Sequence, residues 1–217
     1  MKTTSITLVL IIAMCAASGQ TYQKTIGSSQ GDNAMAVVQT TDGGYVTCGS
    51  SLSFGNNNSQ VYLVKTNDEG DTLWTRTYDF GNLDYGNALQ MTNDGGFIIA
   101  GRTFTGTVNY DDVLLMKVGA DGSFEWAKAY GGGEQDQANA VRQTSDGGFI
   151  VAGYTTSYGA GLPDIYLVKT SANGDLEWTK TYGGTVTDEA YDVWQNEDGG
   201  YIVAGSVRSF LPDNDGV

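Results

Sequence analysis

Short apolar runs separated by turn-forming residues make up most of this chain. Phe97–Ala100 and Val113–Met116 are apolar at every position. A strand with one face in water would alternate apolar and polar residues, so these runs predict strands that are buried on both faces. The run that contains Trp126, Lys128 and Tyr130 alternates, which predicts an outer strand. Apart from the extreme N-terminus, no window has the apolar spacing of a helix, and the pattern predicts an all-β protein.

The same succession of runs recurs at a fixed interval of 52 residues. A period this long, kept without insertion or deletion, is typical of a repeat architecture. The interval relates Asp42, Asp94, Asp146 and Asp198; Gly49, Gly101, Gly153 and Gly205; Trp74, Trp126 and Trp178; and Lys65, Lys117 and Lys169.

Each repeat contains four strand-like runs joined by turns. The Asp-Gly-Gly string between the first two runs favours a tight hairpin, because glycine adopts a positive φ without steric cost. Four antiparallel strands in about 50 residues are typical of one blade of a β-propeller. We therefore expect an incomplete β-propeller, an open arc of about three full blades and a partial one. The expected boundaries are a lone strand at 21–27, repeats at approximately 28–79, 80–131 and 132–183, and a partial repeat at 184–217.

The recurring residues are interpreted as structural. One large ring in each repeat would fill the gap between neighbouring blades, which is the role predicted for the three tryptophans. Cys48 has alanine at the equivalent position of the other repeats, so we expect it to be a small buried apolar residue.

The first 19 residues differ from the rest. A basic residue precedes the apolar segment Ile6–Ala13, and Ala17 and Gly19 satisfy the small-residue rule of a cleavage site. This pattern predicts a secretory signal peptide, because the apolar run is too short to span a bilayer. An alternative is a lipoprotein anchored through Cys15. Either reading predicts a secreted or cell-surface protein with no membrane span in the remaining chain.

The charge and the missing residue types narrow the range of functions. The net charge of −14 argues against nucleic acid or an anionic membrane as a partner, and removal of Lys2 with the leader makes it more negative. It is consistent with solubility, or with a cation site or a basic partner. The chain has no histidine, which excludes Ser-His-Asp and Cys-His catalysis and histidine metal ligands. No catalytic residue and no firm cofactor are predicted.

The strings YGGTVTDEAYDVWQNEDGGYIVAG and DIYLVKTSANGDLEWTKTYGG resemble the DGG-containing propeller repeats of secreted Bacteroidetes proteins and, less closely, the delta-60 repeat. A glycine four residues before each tryptophan, as at Gly174 and Trp178, resembles the quinoprotein propellers and is expected to reflect how the tryptophan docks. The resemblance implies a propeller fold and an extracellular location. It also implies fusion to further blades and to a C-terminal sorting domain for type IX secretion, which this sequence does not contain. It supplies no activity.

Successive connections in an antiparallel blade alternate between two rims. The Asp-Gly-Gly and Asn-Gly turns share one rim, whereas the other rim carries longer connections that differ between repeats. A single binding site need not repeat, so the variable rim is the predicted binding face, and calcium at its acidic residues is a side hypothesis. The residues predicted to bind a ligand are Asp84, Tyr85, Tyr110, Asp111, Asp112, Asp136 and Tyr158.

These observations favour a secreted, non-catalytic module that binds a protein or a glycan through the variable rim. Two alternatives stay open. One is a carbohydrate-active enzyme that uses carboxylates, and the other is a structural spacer within a larger cell-surface protein.

Overall fold

A computed structural model describes residues 23–54, 58–81, 83–104 and 110–209, together with the backbone of Val9 and Leu10. The predicted signal peptide at 1–19, including Cys15, therefore lies almost entirely outside the described residues. The described residues contain strands and turns and no helix. Accordingly, none of their elements is a helix long and apolar enough to cross a membrane.

The strands fall into four successive units. Unit 1 comprises β3 Asp32–Gln39, β4 Tyr45–Ser51, β5 Gln60–Thr66 and β6 Thr72–Tyr78. Unit 2 comprises β7 Asp84–Met91, β8 Phe97–Thr103, β9 Asp112–Val118 and β10 Phe124–Tyr130. Unit 3 comprises β11 Asp136–Gln143, β12 Phe149–Thr155, β13 Asp164–Thr170 and β14 Leu176–Tyr182. Unit 4 comprises β15 Asp188–Gln195 and β16 Tyr201–Val207.

Units 1 to 3 are four-stranded antiparallel sheets in which each strand pairs with its neighbours in sequence, and unit 4 is a two-stranded sheet. This confirms the predicted repeats of antiparallel sheets and is consistent with a propeller-like fold. The positive φ of about +84° at Gly43, Gly95, Gly147 and Gly199 explains why the first glycine of each Asp-Gly-Gly string is needed to close the hairpin.

The second and third strands of units 1 to 3 carry the core. Phe97, Ile98, Leu114 and Leu115 are buried on both faces of unit 2, as the continuous apolar runs predicted. The fourth strands are mostly exposed. The first strands of successive units lie beside one another, and the Asn87 side chain donates from β7 to the carbonyl of Ala138 on β11 at 2.9 Å.

Each repeated tryptophan is half-buried and packs against the following unit. The ring centroid of Trp126 lies 5.9 Å from that of Phe149, and the ring of Trp178 lies 5.7 Å from that of Tyr201. A Cβ atom on Gly174 would approach the Trp126 ring to 2.6 Å, so only glycine admits the ring. The glycine four residues before Trp178 therefore receives the tryptophan of the preceding unit, and Gly122 receives Trp74 in the same way.

The predicted N-terminal strand at 21–27 lies partly outside the described residues. Within it, Lys24–Thr25 (β2) pairs antiparallel with β1, Val9–Leu10. The Lys24 ammonium lies 2.7 Å from Asp71 of unit 1, in the same way that Lys128 approaches Asp175 of the unit that follows it. Lys24 thus occupies the position of a fourth-strand lysine in front of unit 1.

Candidate functional site on the variable rim

The two rims of the sheets have different chemistry. The rim formed by the turns within β3–β4, β5–β6 and their equivalents repeats from unit to unit, and we call it the constant rim. The opposite rim, formed by the connections β4–β5, β6–β7 and their equivalents, is the variable rim. The candidate site is on the variable rim, whereas the buried lysines lie near the constant rim.

Each of units 1 to 3 contains one buried lysine near the constant rim. The ammonium groups of Lys65, Lys117 and Lys169 lie 2.9–3.0 Å from the Asp-Gly-Gly carboxylates Asp42, Asp94 and Asp146. A Cβ atom on the second glycine of the string would approach the ammonium, to 2.6 Å at Gly44. The second glycine therefore makes room for the lysine, while the first one forms the turn.

Hydrogen bonding holds the aspartates of the constant rim ionised. The pKa of Asp42, of Asp94 and of Asp146 is lowered to about 2, first by the threonine hydroxyl two residues earlier and also by the lysine. Every lysine in these pairs is engaged by a carboxylate and a backbone carbonyl. The recurring charges are therefore structural, and the buried lysines do not provide a free nucleophile.

Two of the predicted binding residues belong to the structural repeat. Asp84 and Asp136 are fully buried, and the 52-residue step relates them to Asp32 and Asp188. Each carboxylate accepts a hydrogen bond from the backbone N–H four residues earlier, at 2.7 Å for Asp84 and 2.8 Å for Asp136. They fix the connection between units, and their burial does not support direct ligand contact. The 52-residue interval that relates these aspartates already indicates a structural role in the sequence.

Three positions on the variable rim meet in space and change from unit to unit. In unit 2 the Arg102 guanidinium lies 4.2 Å from the Tyr85 ring centroid and 2.6 Å from Asp111. The same positions hold Asn33, Ser50 and Ser59 in unit 1, and Gln137, Tyr154 and Pro163 in unit 3. We call each of these sets a face triplet. Tyr85 and Asp111 were predicted from the sequence, whereas Arg102 was missed because it lies within a strand.

A recess separates the first face triplet from the second. Its volume is about 260 Å³, and its walls combine hydroxyl, amide, carboxylate and aromatic groups. The residues that line it are Gly31, Asp32, Asn33, Ser50, Leu52, Ser59 and Tyr85. The carboxylate of Asp32 is already held by Ser28, Ser51 and Ser53, so it forms a fixed acceptor within the wall.

The remaining predicted residues collect at the junction of units 2 and 3. Asp112, Asp136 and Tyr158 meet around Gly131, whose carbonyl accepts a hydrogen bond of 2.7 Å from the Tyr158 hydroxyl. Burial raises the pKa of Tyr158, and the nearby carboxylates add to the effect. Tyr110 is exposed. The predicted set thus divides between the second face triplet, this junction and the buried Asp84.

The described residues were also compared with the requirements of a metal site. Within the described ranges, no three aspartate, glutamate or cysteine side chains are grouped so that they could hold a metal ion. The predicted calcium therefore stays a hypothesis that a thermal-shift measurement with calcium and with a chelator can test.

Comparison with known proteins gives similarity in fold alone. No protein-family model matches the chain, and no curated protein matches it. A crystal structure of a protein of unknown function from Bacteroides caccae superposes with a TM-score of 0.54 at 12% identity, over 90% of this chain and 64% of that one. The chain thus spans less than two thirds of that protein. Sqt1 from Chaetomium thermophilum gives a TM-score of 0.41 at 15% identity, over 76% and 39% of the two chains.

Proposed function

We propose that this protein is an exported, non-catalytic β-propeller module that binds a hydroxyl-rich ligand, a glycan, on its variable rim. The observation that carries the proposal is the face triplets. In units 1 to 3 the residues at these three positions of the repeat change from Asn, Ser and Ser to Tyr, Arg and Asp and then to Gln, Tyr and Pro. Residues that make the core contacts keep the 52-residue repeat, whereas these positions on the variable rim differ between units, and this difference supports recognition.

The chemistry of the recess supports a glycan. A half-buried tyrosine ring offers an apolar surface, and the amide of Asn33 lines the same recess. The hydroxyls of Ser50 and Ser59 also line it, and they donate to the Asn33 amide oxygen and to the Asp84 carbonyl, which fixes the polar wall. Pockets that recognise small ligands combine an apolar wall with a few convergent polar groups in this way. The cation over the Tyr85 ring holds it in place, because Arg102 is itself fixed by Asp111.

The proposal has a direct binding test. The whole chain is applied to a glycan array, and any retained glycan is titrated against the wild type and the Tyr85→Ala variant. Loss of the ring should weaken binding by roughly 10-fold, which corresponds to about 1.4 kcal/mol. Asn173→Ala, on the exposed constant rim, is the matched control and should bind as the wild type does. Absence of any retained glycan, or equal binding by Tyr85→Ala, would contradict the proposal.

A further inference from the structure

A groove lies beside unit 4. It has a volume of about 760 Å³ and lies between β13 and β14 on one side and β16 on the other. Its lining is mainly apolar and aromatic: Ile165, Leu167, Trp178, Lys180, Tyr182, Gly200, Tyr201 and Val203. Within the described residues β16 pairs with β15 alone, so its other edge faces the groove.

The corresponding space between units 2 and 3 is occupied by strands of unit 3, and this packing indicates which kind of element fits the groove. Tyr166 and Val168 of β13 pack against Val113, Leu115 and Tyr130 of unit 2. Ile165 and Leu167 point to the other side, toward unit 4. The occupant of each interior space is thus the hairpin formed by the third and fourth strands of the next unit.

Polar contacts also join each of the first units to the next one, and their equivalents lie around the groove. Tyr78 and Tyr130 donate to the carbonyls of Gly122 and Gly174 in the next unit, at 2.6 Å and 2.5 Å. Their equivalent, Tyr182, lines the groove and is exposed. Lys128 approaches Asp175 of the next unit.

Lys180 and Asp198 repeat this pattern at the edge of unit 4. They occupy the positions of Lys128 and of Asp146, and neither has an ion-pair partner among the described residues. The groove therefore presents an apolar surface, a phenol, a cation and an anion in a known arrangement.

The geometry points to a docking site for a β-hairpin that carries the third- and fourth-strand pattern of these repeats. Its first strand would pair with the free edge of β16 and place alternate apolar side chains in the groove. Its lysine would reach Asp198, a glycine carbonyl in its turn would accept from Tyr182, and the following acid would pair with Lys180. Continuity with the two occupied interfaces, together with this charge complementarity, selects the hairpin over other partners.

The sequence of residues 164–182 contains all of these groups and serves as the probe. A synthetic peptide of this sequence is titrated into the full chain, and hydrogen exchange of β16 is measured with and without it. We expect saturable one-to-one binding and at least roughly 10-fold slower exchange of the β16 amides, because strand addition protects the paired edge.

Two matched peptide variants distinguish docking from non-specific sticking without altering the protein. The peptide with Tyr166→Asp and Val168→Asp changes the groove face, and we expect its affinity to fall at least roughly 10-fold. The peptide with Ile165→Asp and Leu167→Asp has the same number of changes on the opposite face and should bind within about threefold of the parent. Equal losses for both variants would overturn the proposal.

A tethered version covers the case in which the free peptide is insoluble. The same three hairpins are joined to Val217 through a flexible Gly/Ser linker. We expect the parent and the opposite-face hairpin to raise the Tm and to protect β16, and the groove-face variant to do neither. A chain that sediments as a dimer with β16 already protected would instead assign the edge to a second copy and overturn the hairpin.

Discussion

At the residue scale, the three lysine–aspartate pairs of the constant rim are not equivalent. Lys117 and Lys169 each have a second carboxylate, Glu125 and Glu177, whereas the equivalent position beside Lys65 is Leu73. Removing the carboxylate that pairs with a buried lysine leaves the positive charge of the lysine buried and unpaired. The free-energy cost of that unpaired charge is larger than the net stabilisation that the ion pair provides. The aspartate at this repeat position therefore contributes differently to stability in different units.

We predict that Asp42→Asn destabilises the protein more than Asp146→Asn. The first change leaves Lys65 without a carboxylate and should cost about 2 kcal/mol, whereas Glu177 still pairs with Lys169 after the second, which should cost about 1 kcal/mol or less. Urea unfolding of both variants measures the difference. Equal destabilisation would show that the second acid does not matter.

These pairs also predict how stability depends on pH. The pKa of each aspartate is about 2 in the folded protein and 3.8 ordinarily, so the folded state favours the ionised form. Their stabilising contribution is fully present above about pH 4 and is lost as the pH falls toward 2. The difference in unfolding free energy between the wild type and the triple Asn variant should shrink over that window. A difference that stays constant from pH 5 to pH 2 would refute the assignment.

At the element scale, the fourth strands of units 1 and 2 each hold the next unit through a tyrosine hydrogen bond. Tyr130→Phe removes a buried hydrogen bond to the Gly174 carbonyl and leaves that carbonyl without its donor. We expect a loss of about 1–2 kcal/mol, or a Tm decrease of roughly 2–8 °C for a chain of this size. Tyr182→Phe alters the equivalent but exposed position and should leave the Tm unchanged. Equal Tm values for the two variants would argue against this contact.

The tryptophans give a second comparison between elements. Trp126→Ala opens a cavity between units 2 and 3, where the ring packs on Phe149, and should cost about 2–3 kcal/mol. Trp194→Ala removes a ring of the same size that is 63% exposed, and it should cost less than about 1 kcal/mol. Calorimetric unfolding of both variants provides the measurement, and a larger loss for Trp194→Ala would reverse the assignment of roles.

At the scale of the whole molecule, the repeat interval explains why the fold was predictable and the site less so. Continuous apolar runs such as Phe97–Ala100 and the Asp-Gly-Gly turns specify strands and hairpins locally, and the structure confirms both. The pairing of Lys65 with Asp42 and the docking of Trp126 on Gly174 join distant residues, so spacing alone could not show them.

The predicted site residues fall into buried structural positions and variable rim positions, and local sequence patterns alone did not separate the two groups. Tyr85 and Asp111 differ from their counterparts in the other repeats, whereas Asp84, predicted together with them, keeps the interval and is buried. Arg102 was missed because a strand residue reaches the rim only through its long side chain. A position-by-position comparison of the repeats would have separated the buried Asp84 from the variable face triplets.

The central claim is that each unit buries its apolar faces only against its neighbours, and that the recurring residues make those contacts. Ile202 on β16 is 60% exposed, whereas its equivalents Ile98 and Ile150 are fully buried. Residue-resolved hydrogen exchange of the whole chain tests this directly. The account predicts strongly protected amides in β8 and β12 and fast exchange along the free edge of β16. Uniform protection of all three strands in the isolated monomer would contradict it.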